Sequence, residues 1–135
     1  MFHFNCCSSS KNSPELMDFL VNKGYNFCSV DITSDKEKMM RTWNIKIPED
    51  HHIDLQDLIH FYWVKGEKTG MAPMASVIIH DNYKTMKSGF PKENHKYWGK
   101  NPLDMINIQY AAIDAYVAFE LYHMYCITPP PPPLE

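Results

Sequence analysis

The apolar positions fall into short runs whose spacing alternates between two residues and three to four. Phe2, Phe4 and Cys6 alternate with His3 and Asn5, the period of a short strand, before the polar residues 8–12 break it. Ser13 and Pro14 have the character of a helix N-cap and first helical residue, and Glu15 sits at the positive end of the dipole. Leu16, Phe19 and Leu20 form the stripe of that helix and Gly24 ends it. Residues 25–32 alternate as a strand. Ser34 and Glu37 then make an S-x-x-E capping box for a helix reaching about Trp43. Ile45, Ile47 and Ile53 mark a second extended stretch that Pro48 interrupts, and Asp54 caps a helix with Leu55, Leu58, Ile59 and Tyr62 on one face. Gly66 and Gly70 bound a turn before a short apolar helix over 71–79, where Pro73 fits only in the first turn. Asn101-Pro102 opens the longest helix, 102–126, with apolar residues at Leu103, Ile106, Tyr110, Ile113, Val117 and Leu121. Strands alternating with helices predict an α/β domain, and no internal repeat is visible.

The 135 residues suit one domain, placed at 1–126, and the 44% apolar and 21% charged fractions are those of a globular chain. A net charge of −3 argues against binding nucleic acid by bulk charge. No apolar run is long enough for a membrane helix, and the N-terminus lacks the pattern of a secretion signal. The four cysteines form no C-x-x-C, which predicts neither a thiolate zinc site nor a disulfide framework. They point to a reducing intracellular setting, nucleus or cytoplasm. His51 and His52 have no third ligand at metal-site spacing. Met39, Met40, Met71 and Met74 read as core fillers. Residues 127–135 read as an extended proline-rich tail ending in a Leu-Glu scar.

Two stretches carry candidate chemistry. Residues 82–100 are rich in turn formers and hold Lys84, Lys87, Lys92, Lys96 and Lys100 against Glu93, a local charge of +4. Phe90, Tyr97 and Trp98 interleave with these lysines. Such a segment guides a phosphate backbone and stacks unpaired bases, or else is a solvated loop with its aromatics tucked into the core. In the long helix, Tyr110 and Asp114 are four residues apart and share a face, with small Ala111, Ala112 and Ala115 beside them. Asp114 there can bind a divalent metal while Tyr110 orients a water. The same spacing also describes an amphipathic helix with a core aromatic and a solvated aspartate.

Residues 109–116, Gln-Tyr-Ala-Ala-Ile-Asp-Ala-Tyr, resemble the third motif of the DEDDy 3′–5′ exonucleases, the RNase D and Werner-type exonuclease family, and are most like its plant members. Residues 30–39 resemble the second motif, a strand followed by a helix bearing a metal-site aspartate, here Asp35. Residues 54–58 resemble the D-L-x-x-L segment, and 70–75 the G-L-x-x-L-A helix start. The four segments keep the family order between about Pro14 and Tyr122.

The resemblance implies an RNase H-like α/β fold, N-terminally truncated, with a sheet flanked by helices. It also implies a site in which four carboxylates hold two Mg²⁺ or Mn²⁺ ions. By position, Asp35 and Asp114 would be metal ligands, and Tyr110 the phenol that orients water. The family's opening Asp-x-Glu, expected N-terminal to Asp35, is missing: the D-x-E spacing occurs only at Asp35-Lys36-Glu37, inside the second-motif segment, and no acid precedes Glu15. If each absent carboxylate costs about 3 kcal/mol of transition-state stabilisation, the pair slows the reaction roughly 10⁴-fold.

The expectation is therefore a degenerate exonuclease-like domain, inactive or impaired and with metal sites weak or absent. It would act by binding a protein partner or single-stranded nucleic acid through Lys84, Lys87, Lys92, Lys96, Lys100 and Trp98. The alternative is an active metal-dependent exonuclease whose missing carboxylates come from another chain or an upstream segment. Absent strands would leave an exposed sheet edge, which predicts a homo-oligomer joined there.

Overall fold

A computed structural model describes residues 14–60 and 69–128, the His60 side chain excepted. The expected strand over 2–6, the Ser13 cap, Tyr62, Gly66 and the proline tail lie outside the described residues. The order is α1 (Pro14–Val21), β1 (Phe27–Ser29), α2 (Thr33–Trp43), β2 (His52–Asp54), α3 (Leu55–His60), α4 (Met71–Ile78) and α5 (Met105–Ile127). Short 3₁₀ turns cover Glu49–His51, Asp81–Thr85 and Lys92–Lys96. The fold is mixed α/β and mostly helical, and its two described strands pair in parallel, Phe27 opposite His52 and Ser29 opposite Asp54.

Alternation along β1 divides the interior. Phe27 points into a small cluster of Leu20, Met39, Ile45 and Ile47, with Leu16, Met17 and Trp43 around it. Cys28 points the other way, into the larger core of Leu55, Ile59, Met71, Met74, Ala75, Val117, Ala118 and Leu121. Its thiol donates to the Ala118 carbonyl at 3.5 Å, so α5 meets the sheet at the small Ala118. Ala112 and Ala115 are exposed, and Ala111 is half-buried.

The Asp54 carboxylate joins the two strand ends. Oδ1 accepts from the Gln56 N–H at 2.9 Å, capping α3 as expected. The same carboxylate also accepts from the Asp31 N–H on Oδ1 and the Ile32 N–H on Oδ2, each at 3.3 Å. Asp31 adopts a left-handed φ of 57°, a conformation aspartate takes more readily than most residues, and this turn ends β1 after three residues. The entry to α2 is thereby fixed from outside. The helix starts at Thr33 with Ile32 at its N-cap and no side-chain cap bond, so the expected Ser34–Glu37 box does not form. Ile45 and Ile47 are buried but unpaired as strand, and only 52–54 joins the sheet. Met40 is exposed rather than a core filler, whereas Met39, Met71 and Met74 are buried.

Helix α4 starts after Gly70, and Pro73 lies in its first turn. Helix α5 begins three residues later than its proline suggests. The Asp104 carbonyl is the first acceptor, taking the N–H groups of Asn107 (3.0 Å) and Ile108 (3.1 Å), while the Asp104 carboxylate holds Lys100 at 2.6 Å. Its buried face keeps Val117 and Leu121 of the expected stripe but departs from it at two positions. Asn107 is fully buried and Ile113 is exposed. Asn107 donates to the Asn94 carbonyl at 3.0 Å and its Oδ1 accepts from the Asn94 amide at 3.1 Å, so a polar pair fixes the loop to the helix.

Asp54→Ala removes a cap and two bonds to the β1–α2 turn together, and is expected to cost about 2–3 kcal/mol in urea denaturation, with Asp54→Asn losing less. His52 is buried at the start of β2, and its pKa is pulled down to about 4, first by burial and then by Lys36, against the opposing charges of Asp35 and Asp54. The unfolded chain thus takes up this proton from about pH 6.5 and the folded chain only near 4. Stability contributed by neutral His52 is complete above pH 6.5 and is lost as pH falls towards 4, by up to about 3 kcal/mol. Thermal melts of wild type and His52→Gln across that range should show the slope only in wild type.

Candidate functional site

The i, i+4 spacing on α5 puts Tyr110 and Asp114 one turn apart, and the chain over 86–90 crosses that face. A cleft of about 230 Å³ results, lined by Met86, Lys87, Gly89, Phe90, Ile106, Gln109, Tyr110, Ile113 and Asp114. Asp114 is not solvated: its side chain is 16% exposed. Both of its oxygens lie 3.1 Å from the Lys87 ammonium. The ammonium also stands 5.1 Å from the centre of the Tyr110 ring, within reach of its π-face. Half-burial is the largest influence on Lys87 and pushes its pKa down. The Asp114 charge and hydrogen bond, with Tyr110, outweigh it, and the net shift is upward.

Tyr110 is the hub of an aromatic cluster. Its ring lies 4.1 Å from Phe90, 5.8 Å from His95 and 6.1 Å from Trp98, centre to centre. Phe90 stacks on Trp98 at 6.0 Å and meets His95 edge-on at 4.9 Å. Phe90 and Trp98 are half-buried by this packing, and only Tyr97 of the three candidate stacking rings is exposed. The loop's aromatics thus hold it against α5.

The lysine segment is less basic in space than along the chain. Lys84 pairs with Asp81, Lys87 with Asp114 and Lys100 with Asp104. Lys92 and Lys96 lie exposed on the 3₁₀ turn beside the cluster. Spacing alone gave no sign of Asn107 and Asn94. An asparagine at a position of α5 that faces inward was the available signal.

Tyr110, Asp114, Lys87 and, through the Tyr110 ring, Trp98 come together. Asp35 is not among the residues lining the cleft. It sits in the first turn of α2, the helix whose Met39 belongs to the smaller core. Among the described residues no three His, Cys, Asp or Glu side chains converge on a metal position. A hard divalent cation needs six or more oxygen ligands, and at Asp114 it would have to displace a bound ammonium. The described residues of the cleft do not fit a metal pair.

No family model, curated protein or solved structure matches the chain.

The Lys87–Asp114 pair predicts a measurable coupling. Lys87→Met leaves a mostly buried carboxylate without its cation and should cost about 1–3 kcal/mol, whereas Lys87→Met with Asp114→Asn should recover part of that loss. A double-mutant cycle in urea reads the coupling, expected at or above about 1 kcal/mol.

Proposed function

We propose that the chain is a degenerate 3′–5′ exonuclease-like domain, RNase H-like in fold, that binds single-stranded nucleic acid weakly and does not cleave it. One observation carries this reading. The carboxylate that the third-motif resemblance assigns to a metal is ion-paired with the Lys87 ammonium, which hydrogen-bonds Oδ2 and stands 3.1 Å from Oδ1. An ammonium satisfies the charge of Asp114 but neither polarises a phosphoryl oxygen nor lowers the pKa of a water as a divalent ion does. Asp35 supplies no second ligand in the cleft.

Support for binding comes from the same cleft. Exposed Lys92 and Lys96, with exposed Tyr97, border an aromatic cluster whose Phe90 and Tyr110 reach the cleft wall. Exposed lysines beside aromatic faces suit a sequence-tolerant contact with a phosphate backbone and one or two bases. Two to three neutralised phosphates give a logarithmic salt slope of roughly −1.5 to −2 on a single strand.

A 5′-labelled single-stranded oligonucleotide incubated with the purified chain and Mn²⁺ is expected to remain full length. Its fluorescence anisotropy should report binding that weakens with salt, and that falls about tenfold in Lys92→Glu/Lys96→Glu. Metal-dependent shortening that disappears in Asp114→Ala would overturn the reading of impaired catalysis. A flat salt response would overturn the binding site.

A further inference from the structure

One side of α5 serves neither core. Met105, Ile108, Ala112, Tyr116 and Phe119 follow one another at spacings of three and four and are exposed, Met105 by 66% and Phe119 by 57%. His123, stacked on Phe119 at 5.9 Å, and Ile127 continue the face at the C-terminal end, where both are exposed. The helix is poor in charge on every side, with Asp114 and Glu120 its only carboxylates and no lysine or arginine. A helix of that composition is normally covered all round, by protein or by lipid. No described helix is long and apolar enough to cross a membrane.

We propose that this face is the interface of a homodimer in which two copies of α5 lie antiparallel about a two-fold axis. A second copy is the fitting occupant because the face complements itself. The small Ala112 and Ala115 lie between the bulky Met105 and Ile108 on one side and Tyr116 and Phe119 on the other. An antiparallel partner therefore brings large side chains against small ones and sets the Met105 end of one helix beside the Ile127 end of the other. The apolar row itself carries no fixed charge that a two-fold axis would set against its like, and the helix dipoles oppose each other favourably.

The area is also adequate. A helix of 23 residues is about 35 Å long. A seam of that length can bury on the order of 1,200 Å² over both copies, the lower bound for a stable interface. The sheet edge expected to join copies is a poorer template. Its strands are three residues long, and all six of their residues are half-buried or buried.

Sedimentation equilibrium on the full chain decides the matter. Wild type should move from the 15.8 kDa monomer to twice that mass as concentration rises from about 1 to 200 μM. Tyr116→Glu/Phe119→Glu, and separately Met105→Glu, should weaken association roughly 30-fold or more. These side chains lie largely in water, and unchanged circular dichroism melts will show that the fold is retained. Wild type that stays monomeric through 200 μM overturns the proposal. So does a dimer that survives both sets of changes, since its interface would then lie elsewhere, the sheet edge included.

Discussion

The Asp54 carboxylate gathers backbone N–H groups from Asp31 and Ile32, 23 and 22 residues away, and from Gln56 just after it. It stands where β1 ends, β2 ends, α2 begins and α3 begins, so one side chain sets the direction of four elements. A two-stranded parallel sheet with three residues per strand has few ladder bonds of its own. What keeps it in register is the tie between its ends. Once β1 is placed, its alternation sends Phe27 to one core and Cys28 to the other, and α5 docks where the Cys28 thiol meets Ala118.

Much of this was legible along the chain. Asp54 before Leu55, Leu58 and Ile59 reads as a cap followed by an apolar face, and Gly70 with Pro73 reads as a helix start. Both readings rest on local chemistry that no distant residue competes with. The Ser34–Glu37 box failed because a distant carboxylate already served the N-terminus of α2, and no local pattern reveals a donor satisfied from 22 residues away. The stripe of α5 held at Val117 and Leu121 but missed Asn107 and Ile113 for a related reason. An asparagine was the inward residue, and its partner Asn94 lies in a loop where spacing carries no signal.

The site was legible in its parts but not in its state. Tyr110 and Asp114 do share a face, as their spacing requires, and Lys87, noted only as one of five lysines, proves to be the partner of Asp114. The sequence offered two descriptions of Asp114, a metal ligand or a solvated acid. The structure gives a third, a carboxylate mostly removed from water and neutralised by an internal cation. Desolvation makes that pairing persistent: separating the ions would leave each half-hidden from solvent and uncompensated, a cost a surface pair would not carry.

The composition of α5 then becomes intelligible as three demands on one rod. One side packs Val117, Ala118 and Leu121 into the core, a second forms the cleft wall with Ile106, Tyr110 and Asp114, and a third presents Met105, Ile108, Tyr116 and Phe119 outward. A helix with a single buried stripe has room for charges on the opposite side, whereas this one carries two carboxylates and no lysine or arginine in 23 residues. Asp114, the carboxylate in the cleft, is tied to Lys87 from the loop. Solvation of isolated charges is thus largely absent from every side of the helix, which is the pattern of an element whose neighbours, and not water, complete its surface.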